Sequence, residues 1–150
     1  GSEMCIRDSE NLICDRELSF SVNVDGIVEL KIDRHKIWSV LDNLIYNALR
    51  HTPKGGSISL CLRGNGEQAV LTVSDTGEGI GAEHLPHIFE CFYKVSPDRG
   101  EKDGSSGLGL YIVKTTMKAM GGTVEVESTL GKGAVFTLTF PARIQSPDEE

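Results

Sequence analysis

Two asparagines and an arginine, Asn43, Asn47 and Arg50, are spaced four and three residues apart in the first third of the chain. In a helix, this spacing places the three side chains on one face. Asparagine costs a helix roughly 0.5 kcal/mol or more relative to alanine. An amide oxygen is a hard ligand suited to Mg²⁺, and a guanidinium one turn later can meet a phosphate oxygen. A solvated polar face and a metal–phosphate site both remain open at this point.

The second candidate for a ligand-binding residue is a carboxylate at the end of an apolar run. Asp75 follows Val73-Ser74, and Gly77, Gly79 and Gly81 come after it at alternate positions. Glycines allow a flat or charged ligand to approach the backbone closely. An ionised carboxylate only accepts hydrogen bonds, so it can hold an exocyclic amine. The alternative is a glycine-rich turn that Asp75 caps.

Two further segments carry possible ligand contacts. The sequence GSSGLGL at 104–110 opens a predicted helix and leaves backbone N–H groups free to meet an anion. It has neither the Gly-Lys-Ser/Thr of a Walker A loop nor the strand–GxGxxG–helix order of a dinucleotide site. The sequence IFECFYK at 88–94 places three aromatic residues within five positions. These aromatic residues fit either local core or the anchor of a mobile lid, with Lys94 reaching a phosphate.

The elements that must position these residues follow from periodicity. Alternating runs predict six strands: Leu18–Val24, Val28–Ile32, Ser57–Leu62, Ala69–Val73, Thr123–Glu127 and Ala134–Phe140. The first two should form a hairpin around Asp25-Gly26. Three helices are predicted: Asp33–His51, a short piece at Ala82–Phe89, and one from Gly107 to Gly121-Gly122. On the first helix, an apolar stripe opposes Asn43, Asn47 and Arg50; it comprises Ile37, Leu41, Leu44, Ile45 and Ala48.

These elements predict an α+β fold: a two-layer α/β sandwich whose mixed, mainly antiparallel sheet is covered on one face by about three helices. The 150 residues suit one domain, which we place at 13–145. Residues 1–12 are read as tag or linker, and 146–150 as a disordered acidic tail. No run approaches the ~18 apolar residues of a membrane span. The net charge of −7 argues against nucleic acid as a partner. The four cysteines lack zinc spacing and are expected to be free thiols.

In this order, the motifs resemble the catalytic ATP-binding domain of bacterial sensor histidine kinases, of the Bergerat fold shared with gyrase, Hsp90 and MutL. The segment DNLIYNALRHTP at 42–53 resembles the N box, and DTGEGI at 75–80 the first glycine box. FECFYK at 89–94 resembles the F box, and GLGL at 107–110 the second glycine box. The likeness covers roughly residues 17–141.

The resemblance implies roles for individual residues. Asn47 would bind the Mg²⁺ that bridges the ATP phosphates, and Asp75 would accept from the adenine amine. Catalysis would involve Asn43, Asn47 and Arg50, and the lid would comprise residues 95–106. The implied nucleotide-binding set is Asn43, Asn47, Arg50, His51, Asp75, Gly77, Gly79, Ile80, Phe92, Lys94, Ser105, Ser106, Gly107, Leu108, Gly109 and Leu110.

Position 43 bears on the type of reaction. Gyrase-like ATPases of this superfamily carry there a glutamate that activates water, whereas Asn43 cannot act as a base. The resemblance therefore implies a kinase, with transfer achieved by positioning and charge neutralisation. Two positions depart from the family pattern. Ser105 replaces the first glycine of the second glycine box, and Ala134 replaces a common Thr or Ser.

The four histidines, His35, His51, His84 and His87, all lack the context of a phosphoacceptor helix. The chain is thus expected to bind ATP or ADP as a monomer without phosphorylating itself. A dimerisation and phosphoacceptor domain of the parent would supply the histidine, and a response regulator would act downstream. The domain is expected in the cytoplasm, where it makes no contact with the membrane. Its parent protein can be anchored in the bacterial inner membrane. The alternatives are a stand-alone anti-sigma-type serine kinase, a non-catalytic nucleotide-sensing module and, disfavoured by Asn43, a gyrase-like ATPase.

Overall fold

Five strands and two helices make up the part of the chain that the computed structural model describes, which is residues 19–25, 34–65, 68–93 and 108–141. The helices are α1 (Arg34–His51) and α2 (Gly109–Ala119). The strands are β1 (Ser19–Asp25), β2 (Ser57–Asn65), β3 (Gln68–Asp75), β4 (Thr123–Ser128) and β5 (Ala134–Pro141). The predicted strand Val28–Ile32, and with it the predicted hairpin, lies outside the described residues.

The strands form one mixed sheet in the order β1-β2-β3-β5-β4. Strands β1 and β2 are parallel, and the other neighbours are antiparallel. Parallel neighbours need a crossover connection, and α1 lies in the chain between β1 and β2. The N-box helix is therefore part of that crossover. The predicted α+β fold with a mixed, mainly antiparallel sheet is confirmed.

The core lies between one face of the sheet and the two helices. Residues of β3 and β5 alternate between buried and half-buried, as the period of two in a strand requires. The buried positions of the sheet face those of the helices; the largest buried side chains are Phe136, Phe140, Leu44, Ile58, Met117 and Leu138. The other face carries polar side chains such as Ser59 and Ser74, whose hydroxyl oxygens lie 2.6 Å apart.

The buried stripe of α1 differs from the predicted one. It is centred on Val40, Leu44 and Ala48, whereas Ile37 and Leu41 are only half-buried at its margin. The prediction that Asn47 lies on the face opposite the stripe is wrong, because Asn47 is buried beside Ala48. Asn43 and Arg50 are half-buried. The helix α2 packs against α1, and its first residue, Gly109, lies close to the Asn43 side chain.

The predicted short helix at Ala82–Phe89 is also wrong. This segment is a run of turns, with amide-to-carbonyl bonds from His84 to Gly81, from His87 to His84 and from Glu90 to His87. Pro86 has no N–H to donate, and it disfavours helical dihedral angles in the residue before it. Successive turns therefore replace the helix that the apolar spacing indicates.

Strand β4 lies at one end of the described sheet and pairs with β5 along Thr123–Ser128. Its side chains alternate between exposed and half-buried, and Glu125 and Glu127 are on the exposed side. Neither of the two described helices is long and apolar enough to span a bilayer.

Candidate functional site

Asp75 ends β3 with its side chain buried, at 8% exposure. The amide of Gly77 donates to Asp75 Oδ1 at 2.8 Å, and the amide of Ala134 also donates to this carboxyl. Burial raises the pKa of Asp75, while these two amides and the nearby His51 act in the opposite direction. A carboxylate offers about four acceptor positions, so two amides leave it able to accept from a ligand.

Asn47 and Arg50 lie together near the end of α1. Arg50 Nη2 donates to Asn47 Oδ1 at 3.3 Å, and the Arg50 guanidinium lies 5.4 Å from the centre of the Tyr46 ring. Arg50 Nε is buried and donates to no group in the described part of the chain. A long hydrogen bond and an unused N–H leave this guanidinium with donors for an anion.

Asn43 faces the start of α2. Its Nδ2 donates to the carbonyl of Ser39 at 2.7 Å, which fixes the amide against its own helix. A Cβ built on Gly109 would lie 3.3 Å from Asn43 Oδ1. The fold thus brings the N box and the second glycine box into contact. Leu108 and Leu110 flank Gly109 and are half-buried, and Leu110 packs against the core.

The first glycine box is tied to the end of α1 through His51. His51 Nδ1 lies 2.9 Å from Glu78 Oε1, and the amide of Glu78 donates to the His51 carbonyl at 3.2 Å. A Cβ on Gly77 would come within 2.3 Å of that same carbonyl. Only glycine therefore fits at position 77 without a backbone shift. The helix itself stops at Thr52, whose amide and hydroxyl both donate to the Ala48 carbonyl, just before Pro53.

The β4–β5 turn, residues 129–133, packs against the first glycine box. The amide of Gly131 donates to the Glu78 carbonyl at 2.8 Å, and a Cβ on Gly79 would lie 2.2 Å from the Thr129 carbonyl oxygen. A Cβ on Gly133 would lie 2.0 Å from the Asp75 carbonyl oxygen. Sequence reasoning treated this turn only as a strand connection. The alternation of Gly131 and Gly133, like that of Gly77 and Gly79, was the available signal.

Gly133→Ala is expected to destabilise the domain much more than Gly131→Ala. The two glycines have nearly equal positive φ angles, 84° and 82°, but a Cβ on Gly131 meets nothing within 4 Å. Alanine at 131 should cost only the left-handed strain of about 1–2 kcal/mol. At 133 the clash with Asp75 should add roughly 1–3 kcal/mol. Urea unfolding of both variants measures the difference, and equal midpoints would contradict the close approach.

The F-box segment is anchored by Phe89 rather than by Phe92. Phe89 packs edge-to-face on Phe136 with ring centres 6.2 Å apart, and Lys114 of α2 lies 5.3 Å from the Phe89 ring centre. Phe92 is 67% exposed and has a φ of 64°, which is unusual for a residue other than glycine. No hydrogen bond or ring contact described for Phe92 joins it to the site. Lys94, the predicted lid, and Ser105, Ser106 and Gly107 lie outside the described residues.

The donor set fits a metal shared with a ligand rather than one held by the protein alone. No group of three His, Cys, Asp or Glu side chains among the described residues can hold a cation. Asn47 Oδ1 is the hard oxygen at the centre of the predicted site, and Arg50 is its described donor. Mg²⁺ commonly takes few protein ligands and completes its shell with phosphate and water. A single amide oxygen next to the Arg50 guanidinium fits a metal shell that a phosphate ligand would complete.

Comparison with known proteins identifies the family of the chain. The family model for histidine kinase-, DNA gyrase B- and HSP90-like ATPases matches residues 32–144. The sensor histidine kinase RppB of Synechocystis sp. is 42% identical over 132 residues, covering 83% of this chain and 29% of RppB. The sensor histidine kinase WalK of Bacillus subtilis is 35% identical over 147 residues, covering 96% of this chain and 24% of WalK. The chain thus spans less than a third of either relative.

Solved structures give the same result. The catalytic domain of histidine kinase ThkA superposes with a TM-score of 0.78 at 25% identity, covering 94% of this chain and 92% of that one. Full-length ShkA in complex with AMPPNP gives a TM-score of 0.78 at 26% identity, covering 97% of this chain and 31% of ShkA.

The chain belongs to the family of histidine kinase-, DNA gyrase B- and HSP90-like ATPases. Within that family it is an ATP-binding catalytic domain of the sensor-histidine-kinase type, as the named relatives and structural neighbours agree.

Proposed function

We propose that this chain binds ATP with Mg²⁺ and, within its parent protein, donates the γ-phosphoryl group to a histidine on a separate dimerisation domain. The observation that supports this most strongly is the buried Asp75 carboxyl, which the amides of Gly77 and Ala134 hold at the end of β3. A buried acceptor held by two backbone donors has a fixed direction. It can therefore select a ligand that presents an exocyclic amine, such as adenine.

The base is proposed to lie against the first glycine box. Asp75 accepts from the adenine amine, while Gly77, Gly79 and Ile80 form the adjoining backbone. Neither glycine can carry a side chain, because the carbonyls of His51 and Thr129 already occupy that space. The His51 imidazole, held by Glu78, borders the nucleotide on the α1 side. In the ShkA structure, the bound nucleotide is AMPPNP.

The phosphates are proposed to lie between α1 and the start of α2. Arg50 supplies guanidinium donors to phosphate oxygens, and the first amides of α2 around Gly109 add backbone donors with the positive end of the helix dipole. Asn47 and Asn43 contribute amide oxygens, of which Asn47 Oδ1 would hold Mg²⁺. When bound, Mg²⁺ supplies positive charge that neutralises the phosphates. Phe92, Lys94 and residues 105–110 complete the proposed nucleotide-binding set.

The proposed reaction is phosphoryl transfer to nitrogen. The bond from the γ-phosphorus to the bridging oxygen breaks, a phosphorus–nitrogen bond to the acceptor imidazole forms, ADP leaves and the imidazole proton passes to solvent. The side chains of this chain orient the nucleotide and stabilise its charge, which is most of what phosphoryl transfer requires. Asn43 offers an amide where water activation would need a carboxylate. This favours transfer over hydrolysis.

The parent protein is proposed to supply the remaining components. These are a dimerisation domain with the acceptor histidine, a response regulator downstream, and a membrane anchor that leaves this domain in the cytoplasm. We place the catalytic domain at 13–145, which contains the family match at 32–144. The relatives are sensor histidine kinases, so neither the serine kinase nor the non-catalytic module is favoured.

Titration calorimetry with AMPPNP, with and without Mg²⁺, tests the nucleotide site. We expect binding in the micromolar to sub-millimolar range that strengthens when Mg²⁺ is added, because Mg²⁺ neutralises phosphate charge next to Asn47. GMPPNP serves as the control, since guanine presents a carbonyl where adenine presents an amine. Equal binding of the two analogues would contradict the role of Asp75, and the absence of heat with either would contradict the proposed function.

A further inference from the structure

Ser128, the last residue of β4, connects the first glycine box to the β4–β5 turn through a single hydroxyl. The amide of Ile80 donates to Ser128 Oγ at 2.8 Å, and the Ser128 hydroxyl donates to the Gly133 carbonyl at 2.6 Å. The hydroxyl thus accepts from one segment while it donates to the other. Ser128 belongs to none of the four motifs that carry the family resemblance.

These bonds fix the far end of the segment 75–80. At its near end, the Asp75 carbonyl abuts Gly133, and the Asp75 carboxyl accepts from Ala134. In its middle, the Glu78 carbonyl accepts from Gly131. Both ends and the middle of the first glycine box therefore rest on the β4–β5 turn and on the two residues that flank it, Ser128 and Ala134. Of these contacts, only the hydrogen bonds to the Ile80 amide and the Gly133 carbonyl depend on the side chain of Ser128.

We infer that Ser128 is a positioning residue for the nucleotide base. It sets the distance between the Asp75 carboxyl and the Gly79-Ile80 backbone, against which the base lies, without touching the base itself. The inference rests on the proposed function, because it takes the nucleotide to bind at Asp75. Ser128 would then be a specificity determinant about 50 residues after Asp75 in the sequence, beyond the C-terminal end of α2.

A role limited to stability is separable from a role in positioning. Ser128→Ala removes one oxygen from a half-buried site and leaves the Ile80 amide and Gly133 carbonyl unpaired, with little change in volume. Ser128→Thr keeps the hydroxyl on a residue suited to a strand. Ser59 provides a matched control. It is half-buried, and its hydroxyl lies 2.6 Å from that of Ser74; both serines lie on the face of the sheet that points away from the core.

The test compares the wild-type chain with Ser128→Ala, Ser128→Thr and Ser59→Ala by titration with AMPPNP and GMPPNP. Ser128→Ala should weaken AMPPNP binding about tenfold, because the Ile80 amide and the Gly133 carbonyl lose the hydroxyl that holds the segment 75–80 in place. GMPPNP binding should change much less, so the selectivity for adenine falls. Ser128→Thr should restore the wild-type selectivity. Ser59→Ala should leave both affinities unchanged even where its thermal midpoint drops as much as that of Ser128→Ala.

Hydrogen exchange without nucleotide gives an independent readout. The Ile80 amide should exchange faster in Ser128→Ala than in the wild type or Ser59→Ala. Unchanged exchange, or an equal loss of affinity for both nucleotides, overturns the inference. If the wild type binds neither analogue, the proposed function fails and the base-positioning role falls with it. In that case the exchange rates still decide whether Ser128 holds the segment 75–80.

Discussion

Asp75→Asn is expected to weaken AMPPNP binding about 100-fold or more while leaving the domain folded. The asparagine oxygen can accept from Gly77 or Ala134, but its NH₂ group then faces either the second backbone amide or the adenine amine. A donor set against a donor in a buried site costs ~1–3 kcal/mol for each unsatisfied group, and ~2.7 kcal/mol corresponds to a hundredfold change in affinity. Calorimetry measures the affinity, and the thermal midpoint reports folding.

The same variant should remove a pH dependence of binding. Burial raises the pKa of Asp75, so affinity for the nucleotide should fall as the pH falls through that raised pKa, before an ordinary aspartate would titrate. The folded state binds this proton more readily than the unfolded chain does. The buried charge therefore costs stability above the folded pKa, and this cost disappears as the pH falls through it. Asp75→Asn should lack this pH-dependent contribution to stability.

His51 also lies beside the first glycine box, so His51→Gln is the control for the assignment to Asp75. His51→Gln keeps a polar side chain near Glu78 and removes the imidazole. If the acid-side loss of affinity persists in His51→Gln and vanishes in Asp75→Asn, Asp75 is its source. A loss that vanishes only in His51→Gln would assign it to the imidazole.

Asn47→Ala is expected to lower Mg²⁺-dependent phosphoryl transfer about 100- to 1,000-fold, the usual effect of removing one preorganised group at a transferring centre. Transfer is measured after the chain is joined to a phosphoacceptor helix domain. Binding of AMPPNP without Mg²⁺ should change only a few-fold, because Asp75 and the glycines are untouched. Asn47→Asp keeps the volume and should also lose transfer, since a carboxylate adds negative charge beside the phosphates.

Arg50→Gln is the matched control for this variant, because it breaks the same Arg50–Asn47 hydrogen bond and keeps the Asn47 amide. It should weaken nucleotide binding with and without Mg²⁺ to a similar extent. A metal dependence that survives intact in Asn47→Ala would contradict the proposed role of the amide. A preserved Mg²⁺ dependence in Arg50→Gln would be consistent with that role of the Asn47 amide.

Much of the fold follows from local pattern. Strands β3, β4 and β5 alternate in sequence as they alternate in burial, and α1 ends just before Thr52 and Pro53. The sequence indicated that a ligand approaches the glycines at 77 and 79, and that approach stays a prediction. What the structure shows at these glycines is the backbone carbonyls of His51 and Thr129. These features depend on short stretches of chain, where sequence spacing translates directly into geometry.

The features that sequence reasoning missed depend on distant segments. Asn47 is buried although the sequence pattern placed it on a polar face, and its helix packs against α2, which lies some 60 residues further along. The pairing of His51 with Glu78, and the support of Glu78 by Gly131, join segments that no periodicity connects. The turns at 82–89 were missed for a local reason, because the apolar spacing was given more weight than Pro86.

The edge formed by β4 bears on how such domains behave when they are crowded. An edge strand offers unpaired backbone groups to any other strand, and charged side chains are a common protection against that. Glu125 and Glu127 both project from the exposed side of β4. Two copies that aligned these edges would bring four carboxylates onto one face, in a chain that already carries a net charge of −7. This edge of the described sheet therefore resists sheet-to-sheet aggregation where copies of the chain are held at high local concentration.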